Sequence, residues 1–263
     1  MTEEQRSEVV QRYQAGATLG QLATAYGITE PSVRGLVLRR GVPLRRVVHT
    51  LRHDAFDELT PDACYWIGFL FADGSISYRR NHIPQISVGL AERDRAHLLK
   101  LRTFLGSTSA ISAPSPTHHS CQFSVRSQRL TDRLVALGRY QGPINARLVE
   151  SRDFWRGVVD GDGSVGVYRR SRSAPATTPQ FRLVGRHNVL EEFLGFLRAH
   201  GIVGLTVRPN KSIHTVGTTC GPAERIVALL YSDATTALSR KAETAQRIMA
   251  AAIFRASGPT DLS

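Results

Sequence analysis

The chain has 263 residues, of which 41% are hydrophobic, and its formal net charge at pH 7 is +12. This length and hydrophobic content predict two or three folding units with buried cores and exclude an intrinsically disordered chain. Nearly all of the excess charge is arginine, because the sequence contains only three lysines, and an arginine-rich chain favours a polyanionic partner. The cysteines lack the spacing of a zinc site or a disulfide framework. No apolar segment approaches the length of a membrane span, so we expect a cytoplasmic protein with no membrane partner.

The first 48 residues predict a small all-α domain. A helix over residues 3–14 is followed by a second short apolar stripe, and Gly27 provides a turn before a third helix that ends near Arg40. This spacing resembles a helix-turn-helix of the resolvase or transposase type, which implies that the third helix enters the major groove of DNA. The residues implied to contact DNA are Thr29, Glu30, Ser32, Val33 and Arg34 near the bases, and Arg39, Arg40, Arg45 and Arg46 near the phosphates.

Residues 49–59 are charged and lack a sustained apolar face, so they are predicted to form a linker. A helix start follows, because Thr60 is a good cap and Pro61 suits the first helical position. Ser151 starts a second helix in the same way. The sequence therefore predicts two further domains, residues 60–150 and 151–255, and a disordered tail over residues 256–263.

Two stretches of the chain, residues 65–75 and 154–164, repeat one another, and each is an apolar helical run that ends in Asp-Gly-Ser. In each repeat a small residue stands four positions after a glycine and predicts a helix face on which two backbones can touch. These predicted packing residues are Gly68, Ala72, Gly157 and Gly161. Touching helices would bring Asp73 and Asp162 together. Because adjacent carboxylates repel each other unless a cation lies between them, the repeats predict a divalent-metal site.

Both repeats resemble the nonapeptide of the LAGLIDADG homing endonucleases in their single-chain, two-motif form. The matching segments are residues 66–74 and 155–163, each with an acid at the eighth position. The first departs from the pattern at its sixth position, where Phe71 stands, whereas the second keeps Asp160. The resemblance implies an α+β fold: two pseudo-symmetric αββαββα halves that form a DNA-binding saddle, preceded here by the helix-turn-helix domain. The predicted order of hairpin, helix, strands and helix after each motif agrees with this fold.

The two predicted hairpins contain no acidic residue. Arginines occur there instead, and such a sheet face would attract phosphates while its extended side chains reach base edges in the major groove. A solvated basic sheet remains an alternative for any single arginine. The arginines predicted to bind DNA are Arg79, Arg80, Arg169, Arg170, Arg172, Arg182 and Arg186.

The family resemblance implies a sequence-specific endonuclease that cuts double-stranded DNA with Mg²⁺ or another divalent cation such as Mn²⁺. Asp73 and Asp162 are the implied metal ligands, helped by the carbonyl groups of Ala72 and Gly161. We expect a monomer that acts as a pseudo-dimer, encoded by a bacterium or phage and associated with a mobile element such as an intron.

A basic residue helps to polarise each catalytic centre in the family. Lys241 lies in Leu238-Ser239-Arg240-Lys241, which matches the family's late Leu-x-Arg-Lys pattern, so it is the candidate catalytic lysine of one half. Arg147 is the candidate in the other half. Arginine keeps the charge but is permanently protonated, so it cannot take part in proton transfer.

Two other classes of protein compete with the nuclease. One is a catalytically inactive, DNA-binding transcription regulator that retains the LAGLIDADG fold. The other is a recombinase or transposase subunit, which only the first 50 residues suggest. The retention of Asp73, Asp162 and Lys241 favours the enzyme.

Overall fold

The computed structural model describes residues 1–45, 48–115, 117–138, 142–169 and 177–257. The chain divides into two compact units, Met1–His49 and Thr50–Ser263. In the part of the chain that is described, no helix combines the length and the apolarity that a membrane crossing requires.

The first unit contains the three predicted helices. They are α1 (Glu3–Gln14), α2 (Leu19–Tyr26) and α3 (Glu30–Arg39). A threonine side chain caps the N-terminus of each helix, and Gly27 makes the turn between α2 and α3 with a φ of +62°. The helices enclose one small core of Val9, Tyr13, Leu22, Ala23, Val33, Leu36 and Val37.

The second unit has the predicted α+β architecture, and it contains two related halves. The first half comprises α4 (Pro61–Asp73), β1 (Gly74–Ser77), β2 (Gln85–Ala91), α5 (Arg95–Phe104), β3 (Ser120–Arg126), α6 (Gln128–Leu137) and α7 (Ala146–Val149). Its strands form an antiparallel sheet in the order β1-β2-β3. In the residues described, the fourth strand of the expected αββαββα order is missing, although Ser112 still donates its backbone N–H to Gln122 at 2.9 Å beside β3.

The second half follows the predicted order more completely. It comprises α8 (Arg152–Asp162), β4 (Gly163–Arg169), β5 (Thr177–Gly185), α9 (His187–Ala199), β6 (Arg208–Asn210), β7 (Ile213–Thr219), α10 (Cys220–Tyr231) and α11 (Ser239–Ser257). Its antiparallel sheet has the order β4-β5-β7-β6. Helix α11 extends two residues into the predicted tail, and residues 258–263 lie outside the described part.

The prediction that residues 49–59 form a linker is corrected for residues 50–59, which belong to the second unit. Residues 50–59 pack onto the first half, because Phe56 is fully buried and Ala55 nearly so. Backbone and side-chain hydrogen bonds hold the segment: Arg52 N–H donates to Leu105 O at 2.8 Å, and Arg133 Nε donates to Phe56 O at 3.0 Å. The sequence did not predict this packing, because two buried apolar residues, Ala55 and Phe56, are too few to give a helical or strand period.

Candidate active site

The two motif helices, α4 and α8, lie side by side and run in the same direction. A Cβ atom on Gly68 would lie 2.1 Å from Phe154 O, and one on Gly157 would lie 2.1 Å from Tyr65 O. One on Gly161 would lie 2.5 Å from the Cβ of Ala72. Because real atoms cannot approach so closely, only small residues allow the two backbones to touch.

This packing places the C-terminal ends of α4 and α8 together. The Asp73 carboxyl group lies about 3.3 Å from where a Cβ on Gly161 would stand, one residue before Asp162. The surroundings that desolvate Asp73 raise the pKa of its carboxyl to about 6, and the negative charge of Asp162 acts in the same direction. Lys241 and Arg240 lower the pKa by a smaller amount. The two predicted ligands are thus electrostatically coupled, as adjacent carboxylates are.

Asp160, at the sixth motif position, is the centre of a buried polar network that joins the two halves. Its carboxylate accepts hydrogen bonds from Tyr65 Oη and Tyr231 Oη, both at 2.7 Å, and from Leu238 N–H at 2.6 Å. Burial raises the pKa of this carboxyl, while Lys241 and the three donors oppose that effect. The network therefore satisfies an acid that would otherwise be costly to bury.

His97 extends this network within the first half. Its Nε2 lies 2.9 Å from Tyr65 Oη, and burial lowers the pKa of the imidazole to about 3, so the ring is neutral. Because the single Tyr65 hydroxyl proton is directed to Asp160, His97 Nε2–H must donate to the Tyr65 oxygen. Nδ1 is then an acceptor, and it has no partner among the described residues.

The two basic residues of the Leu-x-Arg-Lys segment have different surroundings. Lys241 is 3% exposed, and its Nζ donates to the carbonyl oxygens of Val159, Asp160 and Gly163 at 2.7 Å each. Burial lowers the pKa of its ammonium to about 8. Arg240 is exposed and pairs with Asp94 at 3.1 Å. Sequence analysis singled out Lys241 and missed Arg240, which also acts electrostatically on Asp73.

The structure does not bring Arg147 to the two carboxylates. This residue lies in α7, the short helix that ends two residues before the Ser151 cap of α8. Burial raises the pKa of the Cys64 thiol near the start of α4, and the charge of Arg147 opposes that effect. Asp162 is eleven residues beyond Ser151, or about 16 Å along a helix with a rise of 1.5 Å per residue. The prediction for Arg147 is therefore corrected: its charge stands at the opposite end of the helix pair.

The exposed faces of the two sheets differ. In the first sheet, Ser75, Ser87 and Ser124 lie side by side across β1, β2 and β3, with Ser87 buried between the other two. Arg126 is exposed on the same face at the end of β3, and Arg79 and Arg80 are exposed in the loop beyond β1. Sequence analysis missed this row of serines, although their alternation with apolar residues was visible. The hydroxyl groups of Ser75 and Ser124, which are not buried, can bond to base edges.

The second sheet presents charge directly. Arg182 projects from β5 on the face opposite the buried Phe181 and Leu183, and its Nε donates to Thr215 Oγ1 at 3.1 Å. Arg169 is exposed at the end of β4, and Arg186 is exposed directly before α9. The predictions for Arg170 and Arg172, and for Arg46 in the first unit, concern residues outside the described part of the chain.

In the first unit, some predicted DNA contacts serve the fold instead. Val33 is fully buried and cannot reach a base. Arg45 donates to the carbonyl oxygens of Gly16 and Ala17, with its guanidinium 4.4 Å from the centre of the Tyr13 ring, and Arg40 pairs with Glu3. Among the other predicted contacts, Thr29 caps α3 and bonds to Ser32, whereas Glu30, Ser32, Arg34 and Arg39 are exposed.

Comparison with solved structures gives a consistent result. A variant of I-SmaMI with one lysine replaced by alanine has a TM-score of 0.54 and 14% identity, covering 76% of this chain and 93% of its own. The LAGLIDADG homing endonuclease I-GzeII in complex with its DNA target has a TM-score of 0.53 and 13% identity, over 78% and 94%. The LAGLIDADG meganuclease I-AabMI bound to uncleaved DNA has a TM-score of 0.53 and 14% identity, over 76% and 92%.

No protein-family model matches the chain, and no curated protein matches it significantly. The structural likeness at 13–14% identity nevertheless covers most of the chain and nearly all of each neighbour. The protein therefore has the fold of the LAGLIDADG homing endonucleases.

Proposed function

We propose that the protein is a sequence-specific endonuclease of double-stranded DNA that uses divalent cations held by Asp73 and Asp162. The observation that carries this proposal is the backbone contact of α4 and α8, which places one carboxylate from each half at the same end of the helix pair. A fold alone does not imply a function, but two adjacent carboxylates can bind a divalent cation.

The residues present fit Mg²⁺ or Mn²⁺. Oxygen ligands are required, and the two carboxylates with the carbonyl groups of Ala72 and Gly161 supply them. A cation would also relieve the repulsion by Asp162, which adds to desolvation in raising the pKa of Asp73. The described residues contain no cluster of three or more His, Cys, Asp or Glu side chains that could hold a metal. A site with so few protein ligands suits a cation that is also bound by water and phosphate oxygens.

Protein residues provide binding and orientation in this proposal. The bound cation supplies a more acidic water and neutralises the charge that develops at phosphorus. Asp73 and Asp162 fix its place, and Arg240 adds positive potential near Asp73. Arg182 and the other exposed arginines of the hairpins bind the DNA phosphates, while Ser75 and Ser124 of the first sheet contact base edges.

The first unit adds a second DNA contact through the exposed N-terminal part of α3. Ser32 and Arg34 are exposed there, Arg39 is exposed at the C-terminal end of the same helix, and Thr29 and its neighbours complete a helix-turn-helix of the expected spacing. Its role is to extend the recognised site or to increase affinity.

Cleavage selection on a random-sequence DNA library with Mg²⁺ tests the proposal. Wild type should yield a defined cleaved sequence, and Asp73→Asn and Asp162→Asn should abolish double-strand cleavage while preserving binding, since removing a negative charge does not weaken attraction to phosphate. Asp132→Asn, a matched change at an exposed position of α6, should cleave normally. Undiminished cleavage by both site variants would refute the assignment.

Two observations favour the second candidate, a transcription regulator that binds without cutting. Arg147 stands away from the carboxylates, and the Lys241 ammonium is engaged by backbone carbonyl groups. Selection that enriches a bound sequence but never a cleaved one, with Mg²⁺ and with Mn²⁺, would identify the regulator.

A further inference from the structure

The three N–H bonds of the Lys241 ammonium match three described carbonyl acceptors in number. An ammonium carries three N–H bonds. Its Nζ lies 2.7 Å from each of three carbonyl oxygens, those of Val159, Asp160 and Gly163. All three bonds are committed to the end of α8, and the side chain is 3% exposed. Lys241 therefore has no N–H left for a phosphate or a water without releasing this helix end.

The segment that delivers Lys241 is itself tightly held. Residues 232–238, between α10 and α11, form hydrogen bonds with charged side chains from three other helices. Arg156 donates to Thr236 O at 2.9 Å, and Lys100 donates to Ala237 O at 3.1 Å. Thr236 Oγ1 donates to Asp62 at 2.7 Å. The position of α11 is thus fixed from both halves of the second unit.

Asp160 makes the most direct of these connections. It accepts Leu238 N–H at 2.6 Å, and Lys241 N–H in turn donates to Leu238 O at 2.9 Å in the first turn of α11. Asp160 therefore sets where α11 begins. The first turn of α11 in turn places Lys241 Nζ against the carbonyl oxygen of Asp160. This closed arrangement of Asp160, Leu238 and Lys241 is called the clasp below.

The corresponding end of α4 has different neighbours. Leu70, Phe71 and Gly74 occupy the positions of Val159, Asp160 and Gly163, and they line a cavity of about 690 Å³ with Ile86 and Leu134. An apolar phenyl ring replaces the carboxylate. The clasp thus belongs to one of the two motif helices only, among the residues described.

We propose that Lys241 and Asp160 are positioning residues: the clasp holds the last turn of α8 so that Asp162 and the Gly161 carbonyl group are preorganised for the cation. Lys241 then acts through the helix end and its electric field, not by transferring a proton to or from substrate. The inference rests on the proposed function for its consequence in cleavage. Its structural part, the restraint of α8, stands apart from it.

Two measurements that do not depend on DNA cleavage test the clasp in the full chain. They are amide hydrogen exchange over residues 161–164 and Mn²⁺ titration of the protein. Lys241→Met should speed exchange at these amides about tenfold, because hydrogen bonds at the helix end are lost. It should weaken Mn²⁺ binding about 10- to 100-fold, as loss of a supporting group does at metal sites. Asp160→Asn and Tyr231→Phe should shift both quantities in the same direction by less, and they decide the matter if Lys241→Met does not fold.

Lys211→Met is the matched control, since it removes an exposed lysine from the turn between β6 and β7, away from the clasp. Its exchange and Mn²⁺ affinity should equal those of wild type. Cleavage by Lys241→Met should recover to within about threefold at saturating metal, because positioning through the metal is then compensated. Unchanged exchange and Mn²⁺ affinity in Lys241→Met, with cleavage lost at saturating metal, would overturn the proposal in favour of direct chemistry. If wild type itself cuts no DNA, the nuclease assignment fails, while exchange and Mn²⁺ binding still decide the clasp.

Discussion

The two halves of the second unit meet at two equivalent points, and these two contacts differ in chemistry. At one point Tyr65 donates to Asp160 at 2.7 Å. At the other, the equivalent residues are Phe154 and Phe71, whose rings pack edge to face with centroids 5.7 Å apart. The backbone geometry of the repeat is retained, while one contact is polar and the other apolar. A duplicated motif can therefore keep its shape and assign different tasks to its two copies.

The largest effect should come from the geometry that both copies share. Gly157→Ala would place a Cβ 2.1 Å from Tyr65 O, and both backbones must shift to accommodate it. We expect a loss of at least about 3 kcal/mol in the free energy of unfolding and a decrease in Tm of about 6–12 °C, measured by calorimetry. Gly195→Ala, where the nearest heavy atom is Arg198 Nη2 at 4.0 Å, should be neutral or stabilising. Equal Tm values for the two variants would contradict backbone contact.

The polar contact should be more sensitive than the apolar one. Tyr65→Phe removes one of the three hydrogen bonds to the Asp160 carboxylate and takes away the partner of His97 Nε2, so it should cost about 1–3 kcal/mol. Phe71→Leu keeps an apolar contact with Phe154 and should cost less than about 1.5 kcal/mol. Urea unfolding of both variants measures the difference. A larger loss for Phe71→Leu would reverse the comparison.

The coupling between the two helix ends is measurable by titration. The folded pKa of Asp73 is raised from 3.8 to about 6, so the folded chain retains a proton there that the unfolded chain releases, and stability falls as pH rises across that window. Asp162→Asn should lower the Asp73 pKa toward its ordinary value without reaching it, because desolvation, the larger cause, remains. Carboxyl ¹³C NMR detects the change; an unaltered pKa would show that the two groups are not coupled.

The smallest effect should distinguish the two sheets. Arg182→Ala removes an exposed cation from β5, so the slope of log K against log salt for DNA binding should become shallower by about 1. Ser77→Ala, on the exposed face of the first sheet, should leave that slope unchanged. Fluorescence anisotropy at several salt concentrations provides both slopes. A reduced slope for Ser77→Ala alone would assign the phosphate contacts to the other sheet.

Periodicity and small-residue spacing were sufficient to predict the three N-terminal helices and the duplicated halves, and the resemblance of the two motifs to the LAGLIDADG family implied the fold. They were insufficient where tertiary contacts decide. Helix α11 was not predicted, although its run Ala250-Ala251-Ala252 has high helix propensity, because the repeat suggested that each half ends one helix earlier. The burial of Lys241 follows from three carbonyl groups that no sequence spacing reveals. Arg147 was matched by order along the chain, yet α7 is short and packs beside the start of α8.

The unequal pairing of Tyr65 with Asp160 and of Phe154 with Phe71 also governs which fragments can associate. If the chain were cut between its halves, two copies of the second half would press Asp160 against Phe154 and leave a buried acid facing a phenyl ring. Two copies of the first would lose the acceptor for the Tyr65 hydroxyl. Each fragment thus disfavours self-association and selects its complement, so a split form of this protein would reassemble as a heterodimer.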